Sequence, residues 1–168
     1  GRGGTLDLTM TPVGPKGTYD GSLAIKDIWI QDAPAMASLL SALSIVGLLE
    51  QMSGNGILFN SAEADFRLSP SRVTLRSASA VGASMGVSMD GVYDTANKTM
   101  DMQGVISPLY VLNGIGRIFS RNDGEGLIGF NYRLLGSVTN PRVQVNPLSL
   151  FTPGMFREIF RRPPPKTN

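Results

Sequence analysis

A chain of 168 residues has room for one domain with a real core, and 42% hydrophobic against 17% charged residues is a globular balance with few charges. The net charge of +2 gives no general attraction for polyanions, so nucleic acid is not an expected partner. The absence of cysteine and histidine excludes disulfides, zinc–thiolate sites, thiol nucleophiles and the commonest general base.

Twenty glycines and eleven prolines imply many turns, and therefore many strands. The sequence contains no apolar run of about eighteen residues, so no helical membrane span is expected. Gly1–Gly4 has no apolar core and does not read as a signal peptide.

From the start, Leu6, Leu8 and Met10 alternate with polar residues and predict a strand. A turn-rich link over 12–17 leads to a second strand, about Tyr19 to Ile30. Its apolar set changes parity from Leu23 and Ile25 to Ile28 and Ile30, which predicts a bulge at Lys26–Asp27. Asp32 is placed as a helix N-cap, with Pro34 in the first turn. Met36, Leu39, Leu40, Leu43, Val46 and Leu49 then recur near helical spacing over 35–52, with a break expected at Gly47. Gly54 and Gly56 end the segment.

Strands resume with Leu58, Ala62, Ala64, Phe66 and Leu68 assigned to one face and Glu63, Asp65 and Arg67 to the other. Val73 and Leu75, then Met85, Val87 and Met89, then Met100, Met102 and Ile106 mark further strands joined by short links, with a polar turn at Asp94–Lys98. Such a series predicts an antiparallel meander and not parallel strands with helical crossovers. A short helix is expected over 109–120. A hairpin follows: Ile128, Phe130, Tyr132 and Leu134 share one face, Asn140–Pro141 turns the chain, and Arg142–Asn146 returns until Pro147 stops the ladder. Phe151, Met155, Phe156, Ile159 and Phe160, beside Arg157 and Arg161, predict an amphipathic helix. It reads either as a cap on the sheet or as a helix lying on an anionic membrane surface. The expected architecture is mainly β with two or three helical inserts, one domain over 1–162 and a solvated Pro-rich tail over 163–168.

Candidates for chemistry are few. Glu63 and Asp65 share a face, a spacing able to hold a metal, yet exposed alternation is the ordinary state of a sheet face. Asp90, Asp94 and Asp101 flank a turn and match no calcium loop. The serines have no histidine partner, and the short glycine pairs at 54–56 and 124–126 are not phosphate loops. No catalytic residue, cofactor or metal site is expected. The recurring methionines allow two readings: an ordinary filled core, which the residues alone favour, or an adaptable apolar surface left open.

The order of Asp32–Ala35, Leu39–Leu40, Gly47–Leu49, Gly54–Gly56, Ala64–Phe66, Gly124–Leu127, Phe130, Tyr132–Arg133, Gly136, Asn140–Pro141, Val143, Val145–Ser149, Pro153–Gly154 and Arg157 resembles the C-terminal region of AsmA-like proteins, large envelope proteins of Gram-negative bacteria. The resemblance covers nearly the whole chain and is carried by the joint order of these blocks. It implies a curved antiparallel sheet forming part of a hydrophobic β-groove that moves phospholipid between inner and outer membranes. It implies a periplasmic location and a longer protein anchored in the inner membrane. It shifts the methionine surface toward the open reading, with acyl chains meeting Met85, Val87, Met89, Met100, Met102, Phe130 and Tyr132. The alternative is a protein-interaction module that assists outer-membrane protein assembly by adding a strand to an exposed sheet edge.

Overall fold

The computed structural model describes residues 2–108 and 127–151. Eight strands form one antiparallel sheet in simple chain order: β1 (Thr5–Pro12), β2 (Tyr19–Ile30), β3 (Ile57–Ser69), β4 (Arg72–Val81), β5 (Met85–Asp94), β6 (Thr99–Pro108), β7 (Leu127–Ser137) and β8 (Arg142–Phe151). Two short helices, α1 (Pro34–Ala42) and α2 (Val46–Ser53), are inserted between β2 and β3. The sheet is curved and does not close, so the expected mainly-β, curved antiparallel class with helical inserts is the observed one. The turn at 94–98 is held as aspartate-led turns are, with Asp94 Oδ1 accepting from the backbone N–H groups of Ala96 (2.9 Å) and Asn97 (2.8 Å).

Several local expectations are corrected. The irregularity at Lys26–Asp27 inserts no residue: Lys26 still pairs with Ser61 and Ile28 with Phe59. Asp27 instead takes a left-handed conformation (φ 56°), and alternation breaks on both strands at that level, leaving Lys26, Asp27, Asn60 and Ser61 all exposed. Ile57 and Phe59 are therefore the buried residues at the start of β3, and Leu58 does not share their face. Asp32 is not the N-cap. It too is left-handed (φ 49°), the cap position falls on Ala33, and no side chain bonds the helix start. The helical stretch breaks at Ser44 (φ 57°), while Gly47 lies inside α2. Pro147 does not stop β8. The ladder runs on to Phe151 across a register shift between Gly129 and Asn131, and a bulge on an edge strand is where proline is tolerated. Phe151 consequently ends a strand opposite Leu127. The helix expected over 109–120, Met155, Phe156, Arg157, Ile159, Phe160, Arg161 and the 163–168 tail lie outside the described residues.

Register explains the curvature. Shifts occur between Asp65 and Phe66, between Leu75 and Ala78, and between Gly129 and Asn131. The first two are one bulge on β4, at Arg76–Ser77, and the third is a bulge on β8; each adds twist and bends its strand. Close aromatic–glycine approaches help. Phe66 lies over its cross-strand partner Gly21, and Tyr132 lies over Gly104 with its hydroxyl donating to the Ser88 carbonyl at 2.7 Å. A glycine here removes the side chain that would otherwise hold the aromatic ring off the strand.

Cross-strand partners share a face, and the two faces differ in kind. The concave face is apolar from end to end. It carries Leu6, Leu8 and Met10, then Leu23 and Ile25, Ala62, Ala64, Phe66 and Leu68, and onward through Leu75, Val87, Met102 and Leu134. The convex face carries a ladder of polar pairs. Asp20 accepts from Arg67 (2.8 and 2.9 Å) and Arg76 (2.6 Å), Asp101 accepts from Arg133 (2.7 and 2.9 Å), and Asp90 accepts from Gln103 (3.0 Å). The Arg67 hydrogen bond holds the Asp20 carboxyl below its ordinary value, the Arg133 hydrogen bond does the same for Asp101, and backbone and side-chain bonds from Asn97 do so for Asp94. Burial pushes Asp90 the other way, against the Gln103 bond.

Two outcomes are expected. A lowered carboxylate stabilises the fold above its unfolded value and loses that contribution as pH falls through the folded one. The urea midpoint should therefore decline below pH 3.8, the ordinary value of Asp20, Asp94 and Asp101, and Asp20→Asn should flatten that decline. Asp90 has the opposite sign: its ionised form weakens the fold once pH passes the raised value. Asp90→Asn should raise the midpoint at neutral pH, with the gain fading in acid. Separately, a Cβ at Gly104 would overlap the Ser88 carbonyl and stand 2.9 Å from the Tyr132 hydroxyl. Gly104→Ala should cost about 1–3 kcal/mol in chemical denaturation, the range of overpacked interiors.

Candidate functional site

The concave face divides into two halves of the same chemistry. On the β5–β8 side, Met85, Val87, Met100, Met102, Ile106, Tyr132 and Leu134 form one buried cluster with Ile57, Phe59 and the helix residues Leu39, Leu40, Ile45, Leu48 and Met52. The helices cover this half by bridging the sheet: α2 lies against β3, and α1 reaches β8. Both are amphipathic enough to give one side to the cluster, and α2 leaves Val46 in solvent.

The cluster takes in Ile57 and Phe59 of β3 and packs Ile28, Ile30, Leu75 and Ala80 against itself; toward β1, the rest of the same apolar face has no cover among the described residues. Leu6, Leu8 and Met10 are 60%, 52% and 39% exposed, and every residue of β1 is exposed. Leu23, Ile25, Ala62, Ala64, Phe66, Leu68, Val73, Leu75 and Ala78 are half-buried. Alanines stand opposite one another, Ala62 with Ala80 and Ala64 with Ala78, so the floor dips there between the larger side chains of β2 and β5. The result is an apolar trough, open on the β1 side and filled on the other.

The sequence-selected contacts fall mostly in the filled half. Met85 is fully buried, Val87, Met100 and Met102 are at 9% exposure and Tyr132 at 3%; Met89 and Phe130 are half-buried against the same cluster. They are brought together, but as packed interior. Sequence reasoning missed Leu6, Leu8 and Met10 as surface. Their alternation announces a strand, while exposure follows from β1 being an edge, a fact of strand order that periodicity does not carry. Ala62 and Ala64 were assigned to the apolar face, but Ala78 and Ala80 opposite them were missed, because small residues give a weak hydrophobic signal.

The Tyr132 hydroxyl spends its proton on the Ser88 carbonyl, and burial, reinforced by the Asp90 charge, raises its pKa and keeps it protonated. Glu63 and Asp65 are exposed on the convex face, away from the trough, and no group of three acids is placed to hold a metal among the described residues. No helix among the described residues is long and apolar enough to cross a membrane, which says nothing of strands. Set beside known proteins, the chain matches no family model, no curated protein and no solved structure.

Proposed function

We propose that this chain is the C-terminal β-groove domain of an AsmA-like envelope protein, a non-enzymatic element that shelters phospholipid acyl chains on their way between inner and outer membranes. The observation that carries the reading is the apolar face beside β1 that none of the described residues covers, with Leu6, Leu8 and Met10 exposed. Monomeric proteins seldom leave a continuous apolar surface without an occupant. The scale is suitable: Ala62 to Leu68 spans about 20 Å at the usual strand rise, and an acyl chain fills about 15 Å, half of a bilayer's hydrocarbon core. Each methylene laid against such a wall gains about 0.8 kcal/mol over water. The reading places the domain in the periplasm within a longer protein anchored in the inner membrane, and the resemblance of ordered blocks supports that placement.

The test uses residues whose loss does not threaten the core. Leu6→Asp with Leu8→Asp should reduce co-purified phospholipid, measured by mass spectrometry of the organic extract, by roughly tenfold or more. Far-UV circular dichroism should be unchanged, because both side chains stand in solvent. Undiminished lipid on a folded double variant would sink the proposal.

A second reading rests on the β1 backbone. The strand pairs β2 without a shift from Thr5–Lys26 to Pro12–Tyr19, and Thr5–Thr11 holds no lysine, proline or bulge to blunt the edge. Such an edge suits β-augmentation by an outer-membrane protein partner during assembly. Thr9→Lys with Thr11→Lys should then abolish cross-linked envelope complexes and leave lipid content alone.

A further inference from the structure

The cover over the filled half is built differently from the sheet beneath it. It enters and leaves through one stem, where Ile30 pairs with Ile57, Gln31 Nε2 donates to the Gly54 carbonyl at 2.7 Å and Arg2 donates to the Asn55 carbonyl at 3.3 Å. Beyond the stem, the side chains that hold it are apolar: Leu39, Leu40, Leu48 and Met52. Apolar contacts are non-directional, so they resist sliding and lifting less than a hydrogen-bonded ladder does.

The helices themselves are weak. They have nine and eight residues, no side-chain cap at either start, no acid in the first turn and no base in the last. Isolated helices this short do not persist in water, and each missing device removes support from one end. The two joints are non-glycine residues in the left-handed region, Asp32 before α1 and Ser44 between α1 and α2. Such residues are held there only by their surroundings, and they cluster where a chain switches conformation. What lies beneath is apolar and continuous with the open trough: Met85, Val87, Met102 and Ile106.

We propose that α1–α2 is a displaceable lid that swings about the Gln31–Gly54 stem and, on lifting, joins the filled half of the concave face to the open half. Closed, the lid and an acyl chain compete for one surface; lifted, the apolar surface widens across the strands. The role of the lid rests on the trough reading, while its mobility is decided without any guest.

Hydrogen exchange by mass spectrometry on the full chain tests it. Amides of 34–53 should exchange at least about a hundredfold faster than those of β5 and β6, at a rate insensitive to low urea, the mark of local opening. Saturating oleate should quicken lid exchange further, since a guest on the shared surface favours the lifted state. Ala33→Ser, which supplies the missing N-cap, should slow lid exchange about fivefold and leave β5 and β6 alone. Lid amides that exchange together with β5 and β6, with the same urea slope, overturn the proposal; so does oleate that protects them. Oleate that fails to bind counts against the trough reading, and exchange of the free protein then still decides whether the lid opens.

Discussion

The constraint behind this molecule is a mismatch of areas. An eight-stranded sheet with one wholly apolar face needs a second layer to cover it, and layered folds normally provide one. Among the described residues the chain offers two helices of nine and eight residues. They cover Met85, Ile106, Tyr132 and their neighbours and leave Leu6, Leu8 and Met10 in water. Leucines kept in solvent on an edge strand contribute nothing to folding the isolated chain.

Curvature softens the mismatch without removing it. The bulges on β4 and β8 bend the sheet, and Gly21 and Gly104 let Phe66 and Tyr132 settle onto the strands. The β5–β8 half thereby wraps the helices, so that α1, which follows β2, reaches β8. Complete wrapping would bring β1 to β8 and abolish both edges, as barrels do. The sheet order ends at β1 and β8, unpaired with each other. The shape is that of a barrel stopped short, and the missing closure is what leaves a trough.

Strand existence was readable because alternation is strong: a strand from about Tyr19 to Ile30 was expected and β2 spans Tyr19–Ile30, and the meander followed from short links. The positions of φ > 0 were less readable. A parity change at Lys26–Asp27 signals trouble but not its kind, and a left-handed aspartate with no inserted residue gives the same pattern as a bulge. Asp32 looked like a cap because aspartate before proline usually is one; here the backbone turns at that residue and passes the cap position to Ala33. Pro147 looked like a stop because proline has no N–H to donate, a rule that an edge strand with a bulge escapes. The apolar face was legible and its cover was not. Methionine and valine at alternate positions mark an apolar face, yet which part of that face is covered depends on where a helical insert lands, and only tertiary structure sets that.

Filled core and open groove therefore describe two regions of one surface. The same alternation runs from Leu8 on β1 through Leu23, Ala64, Ala78 and Met89 to Gly104 and Tyr132 on β7, crossing from solvent into the packed cluster without a change of chemistry. A sheet meant only to be a core has no reason to extend its apolar face beyond its cover. A sheet meant only to be a conduit has no reason to fill half of it with poorly capped helices. Both features make sense together if the cover is provisional: it protects the half of the surface that would otherwise drive aggregation, at an affinity low enough for a better-fitting apolar guest to displace it.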